Sequence, residues 1–245
     1  MARSKRERLL KRTFLRALKL CTALFLILGV LSGAEVLLLK YFNPPFTTYM
    51  AWQWIESRVY RLPDEESYRI PYLHWRTLKQ ISPHLIKAVL AGEDQRFLSH
   101  HGFDFVEMQD ALRDIPVSGK IRGASTITMQ AARTVFLWPS RTWLRKLLEA
   151  YYTVLIEICW SKKRIMEVYL NTVDWGTDIA GAEAAARMYF HKNAGDITPS
   201  DAALMAAILP NPHAWSPIHP SEYVKERQRR ILRDMEKLPS FQALR

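Results

Sequence analysis

The sequence predicts an all-α protein in which a compact helical domain follows one N-terminal transmembrane helix. Three observations predict it. Apolar residues recur at helical spacing from Ser82 almost to the C-terminus. No alternating run long enough for a substantial strand interrupts them. Residues 21–39, CTALFLILGVLSGAEVLLL, are apolar except for Thr22, Ser32 and Glu35, and about 20 such residues cross a bilayer core.

The elements follow in order. Residues 1–20 form a basic arm with eight cationic side chains against one acid, which accounts for most of the net charge of +11. That concentration argues against a nucleic-acid partner and for a cytoplasmic N-terminus next to the span at 21–39. The competing reading is a cleaved leader with Ser32-Gly33-Ala34 as its small-residue site. Residues 40–69 read as a connector, broken by Asn43-Pro44-Pro45 and without regular structure. The remaining domain, residues 70–245, opens with Ser82 as an N-cap and Pro83 at the first helical position.

In that first helix Leu85, Val89 and Glu93 recur every fourth residue, so Glu93 lies on the apolar stripe rather than opposite it. After a loop rich in Asp, Gly and Lys, Ser125 is the expected cap of a helix through TITMQAARTVFLW. A long helix from Thr142 to Trp160 buries Leu144, Leu147, Leu148, Tyr151, Leu155 and Ile158 in this reading. Ser161 starts another helix, Gly176 and Gly181 mark a turn, and Thr198-Pro199-Ser200-Asp201 reads as a capping box. Val224, Ile231, Met235 and Leu238 share one face of the last helix. Cys21 and Cys159 suit neither a disulfide nor a zinc site, and no HExxH, GxxxxGK or GxGxxG is present.

Three clusters carry chemistry. Glu93 ends its helix beside apolar residues, where burial and the helix dipole both favour the neutral carboxyl, as a proton-transfer group at neutral pH requires. The plain alternative is a capping or ion-paired glutamate. In RTWLRKLLEA, Arg145, Lys146 and Glu149 share a helix face with Arg141 one turn back, which fits either a solvated ion-pair ladder or an anion site. In GASTITMQAAR, Thr126, Gln130 and Arg133 form one stripe behind Ser125, next to the free N–H groups of a helix start. Two carboxylates suit chemistry at an anomeric carbon, and clustered cations suit a phosphate leaving group. Together they point to glycosyl transfer from a lipid-linked sugar diphosphate.

EDQRFLSHHG resembles the EDxxFxxHxG motif of the bacterial peptidoglycan glycosyltransferases. GASTITMQAAR is similar to their GGSTITQQ segment, RKLLE to RKxxE, and SKKRIMEVYLN to KxxILExYLN. The resemblance continues through GAEAAARMYF and AALMAAILPNP and covers roughly residues 70–235. It implies a lysozyme-like fold with a small membrane-associated lobe, in the monofunctional biosynthetic form. It further implies lipid II and the growing lipid-linked chain as partners, with cell-wall assembly proteins beside them, at the bacterial inner membrane. By motif, Glu93 is the general base and Glu149 the second catalytic carboxylate. Asp94, Ser125, Thr126, Gln130, Arg133, Arg141, Arg145 and Lys146 bind substrate, while Phe97, His100 and Gly102 shape the site and Asn171 is structural. No cofactor is obligatory, and Mg2+ or Mn2+ assistance is compatible with the chemistry. Phe136, Leu137, Trp138 and Trp143 are expected to dip into the outer leaflet.

The alternatives are a membrane-anchored lytic muramidase on the same scaffold and a non-catalytic cell-wall scaffold. Five positions depart from the family pattern: Gly92, Ala124, Met129, Arg133 and Asp178.

Overall fold

The computed structural model describes residues 2–59, 73–118, 125–239 and 241. Ala124 therefore lies outside the described residues, as do positions 60–69 of the expected connector. The chain divides into two units, residues 1–42 and residues 43–245.

The first unit is helix α1 (Ala2–Tyr41). Its stretch from Lys11 to Tyr41 is long and apolar enough to cross a membrane. The basic arm and the apolar run form one continuous helix, since nothing between Arg3 and Lys40 interrupts helical geometry.

The second unit is mainly helical. Helix α2 (Thr48–Val59) occupies part of the segment read as an irregular connector. Thr47 starts it, its hydroxyl accepting from the Met50 N–H at 3.2 Å. Met50 then packs with Leu73 and Ala180, so tertiary burial stabilises a helix whose aromatic-rich sequence carries no clear helical stripe.

Helices α3 (Pro83–Glu93), α4 (Phe105–Ser118), α5 (Ile127–Phe136), α6 (Trp143–Cys159) and α7 (Lys162–Thr172) follow. A two-strand hairpin, β1 (Asp174–Gly176) and β2 (Ile179–Ala180), leads into α8 (Ala182–Phe190). Asp178, in the left-handed region at φ 59°, makes this turn where the family pattern has glycine. Helices α9 (Pro199–Ile208) and α10 (Glu222–Lys237) complete the unit. The capping box on Thr198 and Asp201 is present.

Two packing groups position the site. Helices α3, α9 and α10 pack on one another, and α5 packs on α6 and α7. Gly92 permits the first contact, because a Cβ there would sit 3.2 Å from the Ile231 side chain. Its effect is close helix packing.

Residues 73–82 are fastened by polar side chains. Asn171 accepts from the Arg76 N–H at 2.7 Å and donates to the Arg76 carbonyl at 2.8 Å. Glu183, 1 % exposed, accepts from Arg76, Arg187 and the Ala194 N–H. Burial alone would raise its carboxyl, but these hydrogen bonds outweigh burial and hold it down at about 2. A carboxylate whose folded pKa is depressed adds stability that is present above its unfolded value of 4.5 and lost as pH falls toward 2. Glu183→Gln should therefore cost about 2 kcal/mol at pH 7 in denaturant unfolding. The gap between variant and wild type should close between pH 4.5 and 2.

Candidate active site

The meeting of the two packing groups leaves an open cleft of about 640 Å³. Helices α3, α5 and α10 wall it, with Leu209 and Pro210 also in the lining.

Glu93 is the last residue of α3, and its side chain is 11 % exposed at the cleft wall. It is held from two sides. Gln130 of α5 donates from Nε2 to Glu93 Oε2 at 3.0 Å. Arg227 of α10 donates from Nη2 to Glu93 Oε1 at 3.0 Å and to the Gly92 carbonyl at 3.1 Å. The orientation of the Gln130 amide is fixed from behind, because its Oε1 accepts from the Tyr169 hydroxyl at 3.1 Å. Burial, then the nearby Glu93 charge, push the Tyr169 hydroxyl well above its usual range, so it stays a donor. Burial also raises Glu93; Gln130, Arg227 and Arg133 oppose that rise without cancelling it. The result is a fixed, desolvated carboxyl poised for proton transfer.

Asp94 is buried, and its oxygens are taken by the protein. Oδ2 accepts from the Ile127 N–H at 2.9 Å, and Oδ1 lies 2.9 Å from His100 Nε2. It neutralises the first turn of α5 and ties that turn to the end of α3, a positioning task it performs at the cleft lining. Thr126, not Ser125, caps α5: its hydroxyl accepts from the Met129 N–H and donates to the Gly102 carbonyl at 2.6 Å. Threonine can reach both because Gly102, at φ 87°, turns the chain tightly beneath it. A Cβ at Gly102 would come within 2.6 Å of Thr153 Cγ2. Phe97 is fully buried, edge-on to His100 and under the Lys162 ammonium. These residues shape the site from inside the core.

Ser125 lines the cleft; its hydroxyl accepts from Lys146 Nζ at 3.3 Å. Lys146 and Arg145 both pair with Glu149. Glu149 is 1 % exposed and lies behind the wall, outside the cleft lining. The structure thus brings Glu93, Asp94, Ser125, Thr126, Gln130 and Arg133 to one cavity and places Glu149 behind it, linked through Lys146 and Ser125. Arg141 is exposed at the approach to α6 and is not part of the lining. Met129, where the family has glutamine, faces the core and is 6 % exposed.

The cleft is not uniformly positive. Arg96, Arg133, Arg227 and Arg230 face Glu93, Asp94, Asp104, Glu107 and Asp234. Arg96 pairs with Asp104 and Arg227 with Glu93, while Arg133 and Arg230 have no carboxylate within 4 Å among the described residues. Asp94, His100 and Asp104 also approach one another closely. However, their carboxylate oxygens already engage backbone N–H groups, Arg96 and the imidazole, so this trio does not fit a metal ion.

Arg227 and Tyr169 are partners to which the motifs assign no role: Arg227 lies outside them, and Tyr169 is the tyrosine of SKKRIMEVYLN. Both lie on buried stripes: Val224, Arg227 and Ile231 on α10, and Ile165 and Tyr169 on α7. A polar group on an apolar stripe was the signal that singled out Glu93, and it applies equally to them.

The exposed apolar surface also differs from expectation. Phe136 and Leu137 are buried, with Phe136 stacked on Tyr152 at 4.5 Å. Trp138 is half-buried, and Trp143 is 91 % exposed. Leu147, Tyr151, Val154 and Ile158 continue from Trp143 along the outer face of α6. That face reads as core in sequence, but α6 buries the opposite one, with Glu149, Thr153 and Ile156.

A sequence model of the family described as Transglycosylase matches residues 65–236. A biosynthetic peptidoglycan transglycosylase of Caulobacter vibrioides is 44 % identical over 212 residues, 86 % of this chain and 88 % of that protein. One from Rhodospirillum centenum is 52 % identical over 161 residues, covering 66 % and 70 % of the two chains. One from Bacteroides thetaiotaomicron is 48 % identical over 167 residues, covering 68 % and 67 %.

If Asp94 acts by tying α3 to α5, Asp94→Ala should cost about 3 kcal/mol in denaturant unfolding, because it strands a buried N–H and an imidazole. Unchanged stability with lost activity would return Asp94 to substrate contact.

Proposed function

The chain belongs to the transglycosylase family and is a peptidoglycan glycosyltransferase, and we propose that it polymerises lipid II into β-1,4-linked glycan strands with Glu93 as general base. The observation that carries this reading is the desolvated Glu93 carboxyl, fixed by Gln130 and Arg227 at the wall of a cleft where Arg133 and Arg230 remain available to anions.

Glu93 takes the proton of the acceptor sugar's 4-hydroxyl as that oxygen attacks the anomeric carbon of the lipid-linked donor. The C–O bond to the diphosphate breaks on the opposite face, the configuration inverts, and polyprenyl diphosphate leaves with the bonding electrons. Guanidinium groups stabilise the negative charge gathering on that leaving group. Arg133 and Arg230 stand in the cleft for this task. Glu149 acts at one remove: it fixes Arg145 and Lys146, and Lys146 in turn holds Ser125 at the wall. A buried carboxylate with two cationic partners is a stable anchor for cations that must stay near a passing anion.

The location follows from the same substrate. In this reading α1 spans the inner membrane with its basic arm in the cytoplasm, and residues 43–245 work on the periplasmic side. The exposed stripe of α6 enters the outer leaflet, where Trp143 and Tyr151 suit the interface and the leucines its apolar interior. The lipid tail can then stay in the bilayer while its headgroup reaches the cleft.

Glu93→Gln, nearly isosteric with glutamate, should leave the fold intact and lower lipid II polymerisation by at least about 100-fold. Degradation of preformed glycan by the wild type without strand synthesis would instead favour a lytic enzyme. A chain lacking residues 1–42 should bind liposomes, and Trp143→Ser with Leu147→Ser should release it while its melting curve stays unchanged. Phe136→Ser should act differently, by lowering the melting temperature.

A further inference from the structure

We propose that Arg227 is a positioning residue that leaves Glu93 for a diphosphate oxygen of the incoming substrate. The base would then be aimed but weakened in the empty enzyme, and reach full basicity only in the occupied one. This rests on the reading of Glu93 as general base.

The ion pair poses a chemical problem. A guanidinium 3.0 Å from a carboxylate stabilises its charged form and so weakens it as a base. A fixed Arg227 would work against the proton transfer that Glu93 performs. The geometry offers a way out. Arg227 lies on the cleft wall, 16 % exposed, and its buried Nε has no hydrogen-bond partner among the described residues, so the guanidinium is under-used while the cleft is empty. One turn along α10, Arg230 also lines the cleft with no carboxylate within 4 Å among the described residues, and would draw an anion toward Arg227. Exchanging a carboxylate for a diphosphate replaces one charge-assisted pair by another, and the planar fork suits phosphate oxygens at least as well.

Glu93 would keep its aim after the exchange. Gln130 still holds Oε2, and Tyr169 still holds Gln130. The charged and titratable groups around Glu93 are Arg133 on α5, Tyr169 on α7, Arg227, Arg230 and Asp234 on α10, and its neighbour Asp94. Arg227 makes the direct ion pair to its carboxylate, and burial already pushes the carboxyl up. Removing that partner leaves burial less opposed and moves the base toward neutral pH, where it serves best.

The test compares two pH profiles of lipid II polymerisation by the full chain. The acid limb of kcat/KM reports the base in the free enzyme, and that of kcat reports it with substrate bound. In the wild type the kcat limb should lie about one pH unit above the kcat/KM limb. Arg227→Gln keeps a donor for the Gly92 carbonyl but carries no charge, so its kcat/KM limb should rise to meet the kcat limb. Arg227→Lys should restore part of the separation. Coincident limbs in the wild type overturn the proposal. So does an unchanged separation in the glutamine variant, which would assign the shift to direct repulsion by the diphosphate. Circular dichroism melts check folding, and Arg227→Met supplies a second neutral side chain if the glutamine variant does not fold. Polymerisation surviving in Glu93→Gln would defeat the general-base reading itself, whereas a Glu93-dependent enzyme whose limbs ignore residue 227 defeats only this exchange.

Discussion

One carboxylate joins the two halves of the cleft. Asp94, the residue after α3, receives the first free N–H of α5 and the His100 imidazole. A helix start needs an acceptor for its unpaired N–H groups, and an anion there also meets the positive end of the dipole. Because that anion directly follows Glu93, satisfying α5 places the Glu93 carboxyl, the proposed base, within reach of Gln130, one turn into the same helix. The adjacent Glu-Asp pair divides the labour: the second residue sets the frame, and the first works inside it.

Charge in this domain is arranged by depth. Glu183 and Glu149 are buried with two cationic partners each, and Glu183 is held far below the ordinary carboxylate range. Glu93 is the exception among these, with one cation, one neutral amide and a net upward push from burial. Glu183 is thereby held in its charged form, whereas Glu93 is pushed toward the neutral one, as the proposed proton transfer requires. The mixed lining of the cleft fits this pattern, since arginines already paired to acids offer an anion little, and those left unpaired offer much.

Much of the helical order is legible in the residues. Ser82-Pro83, Thr142, Ser161 and Thr198 each start a helix, because a side-chain oxygen at the cap replaces a missing intrahelical partner. Glu93 stands out because a charge on an apolar stripe demands a partner. What sequence spacing does not show is where the partner comes from. Arg227 lies 134 positions away, and only the packing of α10 on α3 brings it near. Ser125 and Thr126 are equally good caps by composition; the Gly102 carbonyl, available only in the folded chain, selects Thr126. Helix α2 is missed because its stability comes from Met50 packing on distant Leu73 and Ala180.

Helix α6 shows the same limit most clearly, because it is apolar around more than half its circumference. Periodicity identifies the helix but cannot say which apolar face is turned inward. The polar residues decide it. Glu149 and Thr153 lie one turn apart on the face that meets α5, with Thr153 donating to the Glu149 carbonyl at 2.7 Å. Burying Glu149 with Arg145 and Lys146 fixes the helix rotation, and Trp143, Leu147, Val154 and Ile158 are then left outside. An apolar stripe of that size in water favours association with another apolar phase, which under the proposed function is the bilayer holding the lipid. The buried ion pairs and the exposed stripe are two sides of one constraint: the charge that holds Ser125 at the cleft through Lys146 also leaves the opposite face of α6 exposed.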